Sequence, residues 1–166
     1  MIGLLHLPPE LHALIVQHLL VTDVLGLKLT CAYFYTLIPA PSHAELLQAE
    51  STDWARHRDV FTCRYCLRLR PAGQFADRML QRRRGRAGRN SSKRFCIECG
   101  LKPREGTARY GPGAQVTIHG AFFVLCLSCR QFRPGAQDRF GRNTLECLAC
   151  WGQRDSRRRG EGGQEL

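Results

Sequence analysis

The chain has 166 residues, nine cysteines and a formal net charge of +11. This length suits one ordinary domain or two small ones. No stretch approaches the roughly 20 consecutive apolar residues that span a bilayer, which argues against a membrane partner. The charge is unevenly divided, since residues 1–57 carry 2 basic and 5 acidic side chains whereas residues 58–166 carry 23 and 9. We therefore expect the character of the chain to change near residue 57.

Residues 1–40 are predicted to form a compact module of three short helices. The run Leu7-Pro8-Pro9-Glu10 is typical of a helix start, because proline suits the first turn and an acid meets the positive end of the helix dipole. Apolar residues then recur at helical spacing, which predicts the first helix. The apolar residues of the three helices are Leu11, Leu14, Ile15 and Leu19, then Val24, Leu25 and Leu27, then Cys31, Phe34, Tyr35 and Ile38.

Residues 41–57 are predicted to form one amphipathic connecting helix, and residues 58–152 a second module. Within that module, residues 81–94 (QRRRGRAGRNSSKR) are basic and poor in apolar side chains, so we predict a disordered loop that could serve as a nuclear localisation signal. The polar tail, residues 153–166, is also predicted to be disordered. Two short strands are predicted at Gln115–Ile118 and Ala121–Leu125, with a turn at His119-Gly120.

Eight of the nine cysteines fall into four CxxC pairs. Two thiolates on a tight turn can hold one side of a metal ion, and two such turns complete a tetrahedral site. The pairs predict two structural zinc ions, with no position open for a substrate water. The predicted ligands are Cys63 and Cys66, Cys96 and Cys99, Cys126 and Cys129, and Cys147 and Cys150.

Disulfides, redox chemistry and iron–sulfur ligation are the alternatives to zinc. The first residues lack the basic start, long apolar run and cleavage site of a secretory signal, which disfavours disulfides and predicts a nuclear or cytoplasmic protein. A redox CxxC usually occurs once, beside a βαβ pattern, and no such pattern is present. Iron–sulfur ligation is the alternative that spacing alone is least able to exclude, because four cysteines also hold such clusters.

The order in which the CxxC pairs combine is open at this point. Sequential pairing would join Cys63/Cys66 with Cys96/Cys99, and Cys126/Cys129 with Cys147/Cys150, and we favour it. A nested arrangement would join the two inner pairs, and a cross-brace would join alternate pairs, as in RING domains. RING domains also use histidine ligands, whereas His119 stands alone and is predicted to be a turn residue.

The stretch LPPELHALIVQHLLVTDVLGLKLTCAYFYTLI resembles the F-box, which binds the Skp adaptor of cullin–RING ubiquitin ligases. The resemblance covers about a fifth of the chain. It implies that Cys31 is a buried residue of the third helix. The positions expected to contact a Skp-type adaptor are Leu7, Pro8, Leu11, Ile15, Leu19, Leu27 and Phe34.

The remainder resembles a cysteine-pair region that follows the F-box in a group of fungal proteins. The matching runs are CRYCLRLRPAGQFAD (63–77), RFCIECG (94–100) and YGPGAQVTIHGAFFVLCLSC (110–129). Together the two resemblances imply an α+β chain with an N-terminal three-helix F-box and a small, irregular, zinc-stabilised module with short β-hairpins.

The two resemblances imply a non-catalytic adaptor that recruits an unknown protein substrate to a cullin–RING ligase. No nucleophile–base pair, catalytic-metal motif or phosphate-binding glycine loop occurs in the sequence, so we do not expect an enzyme. The alternative is a basic zinc protein that associates with nucleic acid, indicated by the excess of arginine after residue 57.

Overall fold

The computed structural model describes residues 3–103, 106 and 108–161, with side chains through residue 157. Helices form the N-terminal third of the chain. After a single 3₁₀ turn at Leu4–His6, they are α1 (Pro9–Gln17), α2 (Val21–Lys28), α3 (Ala32–Leu37), α4 (His43–Glu50) and α5 (Asp53–His57). None of the helices in the described part of the chain is both long enough and apolar enough to cross a membrane.

The ring of His12 in α1, which is 2% exposed, joins the N-terminal 3₁₀ turn to α3. Its Nε2 lies 2.7 Å from the carbonyl oxygen of Leu4, which can only accept, so Nε2 carries the proton. In the neutral ring Nδ1 then accepts from the hydroxyl of Tyr33, at 2.7 Å. Phe34 is buried edge-on against the same ring. It therefore lies in the interior of the helical module, and its predicted role in binding a partner stays a prediction.

Two short helices replace the single connecting helix predicted over residues 41–57. Ser42 and Glu45 form a reciprocal capping box that starts α4. At residue 52 the chain leaves helical geometry, and the Thr52 hydroxyl accepts from the N–H of Ala55, which starts α5. The threonine thus favours a new N-terminus over continuation of the first helix.

Short antiparallel strands make up most of the second module. One hairpin pairs β1 (Val60–Cys63) with β2 (Arg68–Pro71). A four-stranded meander follows, formed by β3 (Gln115–Ile118), β4 (Ala121–Leu125), β5 (Phe132–Gln137) and β6 (Asn143–Cys147). The bounds of β3 and β4 confirm the predicted hairpin.

The β3–β4 turn is held from outside the sheet by Asp77. His119 and Gly120 both have positive φ, 48° and 77°, which matches the right-handed twist of a two-residue hairpin. This confirms His119 as a turn residue. The Asp77 carboxylate accepts from the N–H groups of His119 and Gly120, at 2.8 and 3.0 Å. Since Asp77 begins α6 (Asp77–Leu80), the contact ties the meander to the segment after β2.

The largest buried cluster surrounds the first four cysteines. It draws side chains from β1, α6, β3 and α7 (Ile97–Leu101), together with the segments between them. Its large members are Phe61, Phe75, Met79, Phe95, Tyr110 and Val116. A smaller cluster in the meander consists of Val124, Cys126 and Cys147. The main core of the second module is therefore built against cysteine side chains.

The segment predicted to be a disordered loop, residues 81–94, is held to the protein at two arginines. Arg94 is fully buried, and its Nη2 lies 2.6 Å from Glu50 Oε1 at the end of α4. The other oxygen of Glu50 accepts from the N–H of Thr62 in β1, at 2.7 Å. Arg86 donates to the carbonyl oxygens of Glu50 and Val60, at 3.0 and 2.8 Å. The prediction from composition was wrong because these two arginines pair with buried acceptors from distant segments.

The C-terminal tail also differs from its prediction. Residues 153–161 continue α8 (Leu148–Glu161) instead of being disordered, while residues 162–166 lie outside the described part of the chain. Arg154 pairs with Glu146 of β6 at 3.1 Å, which holds the helix to the meander.

Breaking the Glu50–Arg94 pair should cost far more stability than breaking a surface pair. In Arg94→Met the Glu50 carboxylate stays buried without its cation, which typically costs about 3–5 kcal/mol. Arg56→Met, which removes an exposed pair with Asp53 at 3.6 Å, serves as the control and should cost at most about 1 kcal/mol. Urea unfolding of both full-length variants measures the difference. Equal losses would show that the buried pair does not hold the two modules together.

Candidate metal centres

The first group of four cysteines combines a hairpin with the start of a helix. Cys63 ends β1, and the chain turns so that the N–H of Leu67 donates to the Cys63 carbonyl at 3.0 Å, with φ of 51° at Leu67. Cys96 immediately precedes α7, and Cys99 lies in its first turn. The N–H of Cys96 donates to the sulfur of Cys63 at 3.3 Å. All four sulfurs lie within 4.8 Å of one another, and all four residues are buried.

Close packing fixes the helix that carries the second pair. Gly100 follows Cys99 in α7, and a Cβ added there would lie 2.4 Å from the Tyr110 ring. The absence of a side chain lets Tyr110 pack directly on the helix, and the Gly100 carbonyl accepts from the N–H of Tyr110 at 3.0 Å. The contacts of Tyr110 with Gly100 therefore fix the position of the adjacent Cys99.

The second group repeats this construction. Cys126 follows β4, the N–H of Arg130 donates to the Cys126 carbonyl at 3.0 Å, and Arg130 has φ of 59°. Cys147 ends β6 directly before α8, and its N–H donates to the sulfur of Cys126 at 3.3 Å. Cys150 completes the group, again with all sulfurs within 4.8 Å. The fourth residue after the first cysteine has positive φ in both groups, as a tight CxxC turn requires.

The two groups differ in their access to solvent. All members of the first are buried, whereas in the second Cys129 is exposed and Cys150 is half-buried. The first group lies inside the main core, while the second lies between the meander and α8. Solvent and chelators therefore reach the second group more easily.

Without a metal, each group holds one thiol whose pKa is lowered. A hydrogen bond with the Cys96 thiol lowers the pKa of Cys63 to about 4, and the same contact raises the pKa of Cys96. In the second group burial opposes ionisation, but backbone N–H groups, including those of Cys129 and Cys147, lower the pKa of Cys126 to about 6. The contact with Cys147 raises the pKa of Cys150 to about 12. A cation that replaces the shared protons would let all four sulfurs ionise, so its affinity falls at low pH.

The pairing that we favoured from sequence is confirmed. Sequential pairs meet in each group, so the nested and cross-braced alternatives are wrong. The structure adds a regularity that the spacing did not predict. In each group the first pair follows a strand, whereas the second begins a helix.

The structure distributes the predicted partner-binding residues over three environments, since Phe34 is buried. Pro8, Leu11, Ile15 and Leu19 are exposed, while Leu7 and Leu27 are partly buried. Leu11 and Ile15 are 43% and 37% exposed and stand four residues apart, so they share one face of α1. Cys31 was predicted to be buried but is exposed, because it precedes α3 in an extended conformation.

Both centres have the donor set of a metal-binding protein, with four cysteine sulfurs converging on one point. No protein-family model, curated protein or solved structure matches the chain. The functional interpretation therefore depends on the residues and their geometry.

A thiol-reactive maleimide should modify the second group before the first. On the full chain loaded with metal, mass spectrometry of time points should find Cys129 labelled earlier than Cys63 and Cys96, because of these three cysteines Cys129 alone is exposed. Cys31 provides an internal reference, since it is exposed and belongs to neither group. Labelling of Cys96 at the rate of Cys129 would contradict the difference in access.

Proposed function

We propose that each four-cysteine group holds one structural zinc ion. A zinc tetrahedron with sulfur ligands at about 2.3 Å has S–S edges of about 3.8 Å. The sulfurs of Cys129 and Cys147 already lie 3.9 Å apart. Four thiolates also close the coordination sphere, so no position remains for a reacting water and the role is structural. Soft sulfur donors in a tetrahedron favour zinc over the hard ions magnesium and calcium.

The full chain should contain two zinc ions, and single substitutions should remove them one at a time. Cys96→Ser and Cys129→Ser should each lower the zinc content to about one per chain, because a structural site needs all four ligands. Cys31→Ser is the matched control and should retain two. Elemental analysis measures zinc, and a visible absorption band with bound iron would instead indicate an iron–sulfur cluster. Less than one metal ion in the well-folded wild type would refute the proposal.

We further propose that the chain is a non-catalytic adaptor. In this proposal α1–α3 act as an F-box and bind a Skp-type protein of a cullin–RING ligase, and the zinc module positions a protein substrate. The observation that carries the proposal is the apolar surface of the first helices. Exposed side chains there include Leu11, Leu14, Ile15, Leu19 and Leu20. So much exposed leucine on one short segment is typical of an interaction surface.

The connection between the modules supports a positioning role. Glu50 ends the helix that follows the F-box-like helices, and its carboxylate binds Arg94, two residues before the ligand Cys96. The N–H of Arg64 donates to the Arg94 carbonyl at 3.0 Å. Through Arg94, Glu50 is thus connected to the segments that carry both CxxC pairs of the first group. A fixed joint suits an adaptor, because a substrate receptor must hold its cargo at a defined place relative to the ligase.

Replacing Leu7 and Pro8 by alanine should weaken binding to a purified Skp-type adaptor by 10-fold or more, about 1.4 kcal/mol. Leu11→Ala/Ile15→Ala tests the same face at exposed positions, where folding is least affected. The control is Phe140→Ala/Leu145→Ala, which removes exposed apolar side chains from the β5–β6 hairpin and should not change binding. Calorimetric titration measures affinity, and zinc content checks the fold. Lack of binding by the wild type, or unchanged binding by both test variants, would refute the F-box assignment while leaving the zinc proposal intact.

A further inference from the structure

A concave basic surface lies between α6 and the two 3₁₀ turns that follow it, Arg82–Arg84 and Ser91–Lys93. One cavity of about 580 Å³ is lined by Arg78, Arg82, Arg83 and Arg84, with two neutral polar residues. A second cavity of about 410 Å³ shares Arg78 and Arg84 with the first. We refer to the two cavities together as the basic groove.

The second cavity adds cations and aromatic rings. Its further basic side chains are Arg64, Lys93 and Arg109. No aspartate or glutamate is found among the described residues that line either cavity. Both volumes fall in the range of about 300–1,000 Å³ that is usual for ligand sites. The groove is therefore large enough to accept an extended ligand with several negative charges.

The cations of this region are divided between interior and surface. Arg86 and Arg94 point inward to carbonyl and carboxylate oxygens of the protein. Arg78, Arg82 and Arg83, by contrast, are exposed and make no ion pair with a described carboxylate. Contacts within the protein explain the first set. In the second set Arg78 lies over the Tyr110 ring, 5.3 Å from its centroid, and no described carboxylate neutralises any of the three charges.

The neighbouring cysteine group does not account for these charges. A divalent ion with four thiolates carries a net charge of −2, which two cations would balance. Arg70 already lies at that group, between Glu98 at 2.8 Å and the sulfur of Cys66, which raises the pKa of Arg70 against the effect of burial. Most of the charge in the groove thus remains available to an external anion.

Tyr65 places a flat surface among the cations of the second cavity. Its hydroxyl accepts from Arg109 Nε at 3.1 Å, and its ring packs against Phe95 with 5.8 Å between centroids. The ring is therefore held in position and the residue is partly exposed, with the guanidinium of Arg64 over the ring at 5.2 Å from its centroid. Cations for a phosphate backbone and an aromatic ring for a base are the combination used by proteins that bind single strands.

We propose that the basic groove binds single-stranded nucleic acid, with the arginines on the phosphates and Tyr65 against a base. A duplex reader inserts a helix or a β-ribbon into a groove about 12 Å wide. Here α6 has four residues, and the surface is concave. The geometry thus favours a flexible strand that can enter the groove. This activity is separate from the proposed adaptor function, which uses the N-terminal helices.

Titration of full-length protein into fluorescein-labelled single strands of about 12 nucleotides, RNA and DNA of one sequence, tests the proposal by anisotropy. Arg78→Gln/Arg83→Gln removes a cation shared by both cavities and one specific to the first. We expect binding to weaken at least about 10-fold, and the slope of log affinity against log salt to fall in magnitude by about 1.4 for two lost phosphate contacts. Tyr65→Leu should weaken binding with little change in that slope.

The matched control is Arg133→Gln/Arg139→Gln, which removes two exposed arginines outside the groove. It should weaken binding less than about 3-fold, because the long-range electrostatic attraction of the strand falls only slightly when the net charge of the protein is lowered by two. Equal weakening by the test and control pairs would overturn the proposal, as would no binding by the wild type in about 50 mM salt. A phosphorylated peptide that displaces the strand at lower concentration than unlabelled strand would also overturn it and assign the groove to phosphoproteins. Tighter binding of either RNA or DNA would support the proposal and would show which of the two sugars the groove prefers.

Discussion

The convergence of four thiols on one point is the constraint on which the rest of the second module depends. Apart from α8, this module has strands of four to six residues and helices of four or five, which do not bury enough apolar surface to stand alone. In the first group, Cys63 and Cys96 are separated by more than 30 residues and yet make a direct contact at 3.3 Å. The phenylalanines and the methionine of the main core pack around that contact, so the cysteine side chains replace the layered interior of a larger domain.

The same constraint reaches the N-terminal helices through Glu50. A buried carboxylate needs a cation and further donors, and Arg94 and the N–H of Thr62 supply them. Arg94 lies next to the first cysteine group in sequence, so the fold of that group also determines whether the carboxylate is satisfied. This dependence explains why two modules with opposite net charge are joined without a flexible linker.

Features that depend on local pattern could be predicted from the sequence, and features that depend on distant partners could not. The CxxC spacing identified the eight cysteines that converge in two groups, and the residues around His119-Gly120 located a hairpin with its strand bounds. The basic segment was misjudged because its composition is that of a disordered chain, while Glu50, 44 residues before Arg94, provides the acceptor. Phe34 was expected at the surface and is buried, whereas Cys31 was expected in the interior and is exposed. The reason is similar, because contact with the ring of His12 determines which side of the six-residue helix α3 is buried.

The contact of Asp77 with the β3–β4 turn couples the two cysteine groups. Asp77 opens α6, whose Met79 lies in the core of the first cysteine group, and Val116 of β3 packs in that same core. The neighbouring strand β4 leads directly to Cys126 of the second group. The meander thus contributes β3 to the core of the first group and leads through β4 to a cysteine of the second group. Disturbance of either group should therefore lower the stability of the meander that joins them, although each group has its own four cysteines and can keep its own metal ion.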